Sequence, residues 1–201
     1  MIISAVITAD IVNSTLISAD LQKKLKEELA NVLLSHKYEF YRGDSFQIFV
    51  KNPKQALQIV LQMRVAARKI SHLNDIRTSI GIGQANPNLK KLNTSTDEPF
   101  ILSGRAFDEL AKSERRLIIQ STNNIVNIGL NVVSYFIDYL FKALTQKQSE
   151  VLFELLAENT QLKAAKKLKK SQSTINKHAQ SAGWNDLLNI LTEYEKLVSN
   201  I

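Results

Sequence analysis

From Ile2 to Ala9 the chain is almost continuously apolar and rich in β-branched residues, the pattern of a central strand buried on both faces. The run ends at Asp10. From about Asp20 to Ser35 the apolar residues Leu21, Leu25, Leu29, Val32 and Leu33 recur on one helical face. Lys37 to Arg42 and Ser45 to Val50 then alternate as two strands around a Gly43-Asp44 turn, which predicts a hairpin. Asn52 is placed to cap a second helix with Pro53 at its first position, and Ala56, Ile59, Val60, Met63, Ala67 and Ile70 form its buried stripe. A strand over Asp75 to Gln84 follows, then a polar loop containing Pro87 and Pro99, a helix over Ser103 to Lys112 and a strand over Arg115 to Gln120. Ile125 to Leu144 reads as a long helix packed on protein, because Asn127, Asn131, Asp138 and Lys142 interrupt it too often for a membrane span.

The last third of the chain predicts short helices. Thr145 with Gln148 makes a capping box ahead of Val151, Leu152, Leu155 and Leu156, which are expected on one face. Thr160 caps a second helix with Leu162, Ala165 and Leu168 inward, and Ser171 caps a third with Ile175 and Ala179 inward and Gly183 just beyond its end. Trp184, Leu187, Leu188, Leu191, Tyr194 and Leu197 give a final helix an apolar face, expected to cover the three helices before it rather than to pair with a second subunit. The order βαββαβ followed by helices predicts an α+β chain: a ferredoxin-like α/β sandwich over residues 1–122, a linking helix over 123–143 and an all-α domain over 144–201.

Composition narrows the chemistry. The 201 residues include no cysteine, so neither a disulfide framework nor thiolate metal ligation is available, and His36, His72 and His178 are too scattered to suggest zinc. The early Asp10 and the absence of a basic segment before the first apolar run argue against a signal peptide, which makes a cytoplasmic location without membrane attachment the expectation. The formal charge is +7, but its distribution says more: from Lys163 to Lys177 there are six lysines and no acid. Counterion release from neutralised phosphates is a main source of DNA affinity, so this cluster points to DNA. The third short helix would present Gln172, Ser173, Thr174, Asn176 and Lys177, types that reach base edges and phosphates from a major groove. Lys163, Lys166, Lys167 and Lys170 would supply phosphate contacts. The alternative is a plain helical bundle with a solvated basic face.

This segment, Gln161-Leu-Lys-Ala-Ala-Lys-Lys-Leu-Lys-Lys-Ser-Gln-Ser-Thr-Ile175, resembles the helix-turn-helix of bacterial regulators, with Lys169 where that family has its turn glycine. A non-glycine there must accept a left-handed backbone, at a cost on the order of 1 kcal/mol.

In the N-terminal part, adjacent placement of the first strand and the hairpin would bring Asp10 and Asp44 to one edge of the sheet, where paired carboxylates can hold a hard divalent cation. Each could equally be an ordinary turn or cap acid. Thr8-Ala-Asp-Ile-Val-Asn-Ser-Thr15, Gly43-Asp-Ser-Phe46, Arg77-Thr-Ser-Ile-Gly-Ile-Gly83 and Gly104-Arg-Ala-Phe-Asp-Glu-Leu-Ala-Lys112 resemble, in that order, four signatures of class III nucleotide cyclase domains. The resemblance implies magnesium or manganese on Asp10 and Asp44. It also places Asp108 where that family has a nucleotide-orienting asparagine, Lys112 where it has a transition-state arginine, and Phe40 where it has a base-selecting lysine. A lysine lacks the planar fork of an arginine, so Asp108 and Lys112 are expected to contact a nucleotide or another ligand rather than to drive turnover.

The whole order of parts resembles the small bacterial SatD family. These readings converge on a homodimeric DNA-binding transcriptional regulator with a degenerate cyclase-like sensing or dimerisation domain. Its rival is a metal-dependent nucleotidyl cyclase or phosphotransferase with an accessory helix-turn-helix, and a third reading is a protein adaptor.

Overall fold

A computed structural model describes residues 1–41, 43–89 and 91–201. Five strands, β1 (Ile2–Ile11), β2 (Lys37–Tyr41), β3 (Ser45–Val50), β4 (Ile76–Ala85) and β5 (Leu117–Ser121), form one sheet in the order β2-β3-β1-β4-β5. The first four are antiparallel to their neighbours and β5 joins β4 in parallel, so the sheet is mixed. With α1 (Ala19–Leu33), α2 (Ala56–Ile70) and α3 (Glu98–Leu110), it makes a ferredoxin-like α/β sandwich extended by β5. Five further helices follow: α4 (Asn124–Lys142), α5 (Gln146–Leu156), α6 (Gln161–Leu168), α7 (Gln172–Ser181) and α8 (Trp184–Val198). No helix among the described residues is long and apolar enough to cross a membrane.

The strand pattern explains the layers. Alternate residues of β1 face opposite ways: Ala5, Ile7, Ala9 and Ile11 enter the core with Leu25 and Leu29 of α1 and Leu57 and Val60 of α2, whereas Thr8 bonds to Ser103 of α3. Gly81 in β4 lets α3 approach, because a Cβ there would lie 2.2 Å from the Pro99 carbonyl oxygen and 2.5 Å from the Ser103 nitrogen. Helix α3 begins at Glu98, five residues ahead of the expected Ser103, with Asp97 at its N-cap and Pro99 in its first turn. The expected hairpin strand ends at Tyr41, and Arg42 lies outside the described residues. Asn52 caps as expected by accepting from the Lys54 N–H, but it opens a 3-10 turn over Pro53–Gln55 that leads into α2.

The helical part shares the core of the sheet. Buried Leu152 and Leu156 of α5 join the main core, while Val151 and Leu155 of the same helix pack with Ala164, Ala165, Ile175 and Ala179 of α6 and α7. The four residues expected on one face therefore serve two cores. Gln58 and Gln62 of α2 donate to the Leu156 carbonyl at 3.1 and 2.8 Å, fastening the end of α5 to the sandwich. In α6 the expected Ala165 is buried and Leu168 packs beside it, but Ala164 takes the inward place expected of Leu162, which is exposed. Helix α8 covers the core of α6 and α7 only through Trp184 at its start, and the rest of its apolar face turns elsewhere. Its Leu187, Tyr194 and Val198 enter the main core beside Val126, Leu130 and Val133 of α4, and the Tyr194 hydroxyl donates to the Pro53 carbonyl at 2.8 Å.

Candidate functional site

Strand pairing aligns Asp10 with Ser45 on one side and with Arg77 on the other, and the Ile11 N–H donates to the Asp44 carbonyl. The two acids thus reach the same end of the sheet. Their carboxylates have separate partners. Asp10 accepts from Arg77 through both oxygens, at 3.1 Å from Nε and 2.5 Å from Nη2, and the Arg77 guanidinium sits 5.4 Å from the Phe107 ring of α3. Asp44 accepts from the Ser14 hydroxyl at 2.6 Å and lines a recess with Gln22 and Lys26 of α1. Asp10 follows Thr8 toward the α3 side, whereas Asp44 turns to the α1 side.

A hard divalent cation needs several oxygen ligands converging on one point. Among the described residues no cluster of three or more acids or histidines converges, and Asp10 is already matched by a cation of its own. As arranged, Asp10 is held by Arg77 and Asp44 by Ser14, so neither carboxylate is set toward a shared cation.

On the α3 side lies a cavity of about 550 Å³ lined by Thr8, Tyr41, Ser45, Gln47, Gly104 and Asp108, with Asn93 and Phe107 completing it. A hydrogen-bonded row runs inward from its lining: Gln47 Nε2 donates to Thr8 Oγ1 at 3.2 Å, Thr8 donates to the buried Ser103 Oγ at 3.0 Å, and the buried Ser79 donates to the Ser103 carbonyl at 2.7 Å. Burial and the nearby Asp10 carboxylate both push the Tyr41 hydroxyl above its usual range, so Tyr41 offers a proton rather than a negative charge. Asp108 faces this cavity. Lys112 falls in the turn after α3 and is not among the lining residues. Tyr41, Ser45 and Gln47 were not singled out in the sequence, where only the alternation of the hairpin hinted that they share a face.

The second candidate is the outer surface of α6 and α7. Thr160 and Ser171 cap these helices by accepting from the Lys163 and Thr174 N–H groups, and Lys169 between them has φ 52°, the left-handed conformation expected of it. With Ala164, Ala165, Ile175 and Ala179 turned inward, Lys163, Lys166, Lys167, Gln172, Ser173, Asn176 and Lys177 are exposed and Lys170 is half-buried. Lys167 is paired to Glu154 at 2.9 Å, which draws it toward α5. Thr174 and Ser173 hydroxyls lie 2.8 and 2.9 Å from the Ser171 hydroxyl, so both are engaged in the cap. Among the described residues the lysines of this segment without an ion pair are therefore Lys163, Lys166, Lys169, Lys170 and Lys177, alongside the polar Gln172 and Asn176.

No family model matches the chain, and none of the curated proteins matches it either. Among solved structures it is similar to the crystal structure of the guanylyl cyclase Cya2, at 14% identity and a TM-score of 0.39, over 53% of this chain and 70% of that one.

Proposed function

We propose that this chain is a DNA-binding transcriptional regulator that engages DNA through α6 and α7, with the α/β sandwich as a sensing or dimerisation body. The observation that carries this reading is the division of α7 into two faces. Ile175 and Ala179 anchor it in a small core, and Gln172, Asn176 and Lys177 stand exposed beside Lys163, Lys166 and Lys170. A short helix held rigidly by its inner face, with amide and ammonium groups outside, suits base-edge contacts flanked by phosphate contacts. On this reading the regulator works as a homodimer on two half-sites, as helix-turn-helix proteins commonly do, and the resemblance to SatD-type chains describes its order of parts. The test is a titration of labelled genomic fragments across a range of salt, in which failure to bind at low salt removes the reading.

A second reading, a nucleotidyl cyclase or phosphotransferase, is favoured by the cavity beside Asp108, whose size suits a small polar ligand. Set against it are the engagement of Asp10 by Arg77 and the position of Lys112 beyond α3. Neither leaves a cation poised over a transferring phosphate. The cavity fits better as a binding site for a nucleotide or similar polar ligand. Incubation with ATP or GTP and magnesium or manganese, read by cyclic nucleotide formation, separates the two readings.

A further inference from the structure

Helix α4 buries one face and leaves another bare. Val126, Leu130, Val133, Ile137 and Phe141 enter the main core, whereas Ile125, Ile128, Val132, Tyr135 and Tyr139 are exposed, at 81, 71, 63, 56 and 71%. The exposed five follow one another at intervals of three, four, three and four residues. This is the spacing found along the seam of a two-stranded coiled coil, here over about 20 Å at 1.5 Å per residue. Isolated exposed apolar residues are normal, but a continuous row of five on one straight helix is not.

The geometry points to a second copy of this chain as the occupant of the seam, with the α4 helices of two subunits packed against each other. Three observations favour a copy over another partner. The first is the spacing itself, since a row of side chains alternating by three and four is complementary to another row of the same kind. The second is charge. Around a two-fold axis every charged group near the axis meets its own like, and between Asn124 and Phe141 the exposed positions of α4 are Asn124, Ile125, Ile128, Asn131, Val132, Tyr135 and Tyr139, none of them ionised. The third is size: five side chains of these types present on the order of 500 Å² per copy, which with their flanks approaches the roughly 800 Å² per partner of a stable interface. Arg115 borders the seam, with its guanidinium 4.0 Å from the Tyr135 ring and its Nη1 donating to Asn131 at 3.1 Å. Its Nε and Nη2 are enclosed by its own subunit and find no acceptor among the described residues, so only Nη1 and the face of the guanidinium lie against the row.

This placement has a consequence for assembly. The buried side of α4 shares the core of α1 and α2, so the seam lies in that layer, while the Asp108 cavity lies on the α3 side of the sheet. A dimer on α4 leaves that cavity open rather than closing it with a partner. Only Ala143, Leu144 and Thr145 separate α4 from α5, so the same seam would set the distance between the two copies of α7. The seam needs no DNA to form, and its test stands apart from the regulator reading.

Light scattering on the full chain at micromolar concentration should give twice 22.7 kDa. Val132→Glu and, independently, Ile128→Lys should each give 22.7 kDa with unchanged helical circular dichroism, because both sites are exposed in the single subunit. The chain has no cysteine, so Val132→Cys provides a unique thiol that a short bismaleimide should link to its counterpart at the centre of the seam. A monomeric unmodified chain, a dimer that survives both charged substitutions, or no cross-link at Val132→Cys would overturn the proposal. Binding of a monomeric chain to phosphatidylglycerol vesicles, lost on Val132→Glu, would also overturn it and assign the seam to a lipid surface.

Discussion

Arg64 of α2 and Asp138 of α4 meet at 2.7 Å, 74 residues apart in sequence, inside the protein. Asp75 closes the group by pairing with Arg64 through both oxygens and with Arg68 at 3.1 Å, and the Asp138 carboxylate also accepts from the Arg116 and Leu117 N–H groups. The Arg64 guanidinium lies 4.2 Å from the Phe141 ring. One cation thus joins the second helix, the start of β4 and the linking helix, and so ties the helical part to the sandwich.

Asp75→Asn should destabilise the protein by about 3 kcal/mol in urea unfolding, because a buried arginine would lose its bidentate partner. The pH dependence follows from the same group. Burial works to raise the Asp75 pKa, but Arg64, Arg68 and the Ile76 N–H outweigh it and hold the carboxyl below its ordinary 3.8. A lowered folded-state pKa contributes stability above pH 3.8 that is lost as pH falls through the folded value. Unfolding free energy should therefore drop on acidification below that point, and the drop should shrink in Asp75→Asn.

Gly81→Ala should cost about 3 kcal/mol or more, since its Cβ would meet the Pro99 and Ser103 backbone rather than a flexible side chain. Denaturant unfolding measures it. A near-neutral result would mean that α3 can be displaced from β4.

At Lys169, φ is 52°, so Lys169→Gly should stabilise by about 1 kcal/mol by removing the left-handed penalty. Thermal melting at moderate salt is the measurement. A loss of stability would show that the lysine side chain contributes more than its backbone costs.

DNA affinity should fall with salt at a log-log slope of roughly −4 per recognition unit if about four phosphates are contacted, and twice that for a dimer. Lys166→Ala should weaken binding to all sequences, whereas Asn176→Ala should relax sequence preference by about 1–3 kcal/mol at one position. Lys167→Ala should change affinity less than Lys166→Ala, since Lys167 is paired to Glu154. Equal losses at the two lysines would contradict this assignment.

Magnesium or manganese at millimolar concentration should leave the melting temperature unchanged, because Asp10 is matched by Arg77. Asp10→Asn should cost about 1 kcal/mol, as expected for a partly exposed ion pair. A cation-dependent rise in melting temperature that Asp10→Asn abolishes would show that Arg77 gives way and would revive the metal-dependent reading.

Most local features could be read from the residues in order. The capping box of Thr145 and Gln148, the caps at Thr160 and Ser171, the left-handed Lys169 and the alternation that builds β1 depend on neighbours within a few positions. The βαββαβ order limits the sheet to few arrangements, so the α/β sandwich with a following helical region was also legible. Periodicity states that a face is apolar and not what covers it. Only the tertiary structure decided that Leu152 and Val151 enter different cores, that α8 packs beside α4, and that Ile125, Ile128, Val132, Tyr135 and Tyr139 stay exposed. The partners of the charged groups were hidden for the same reason. Asp10 read alone is a free carboxylate, and its pairing with Arg77 exists only because β1 and β4 lie side by side in that register.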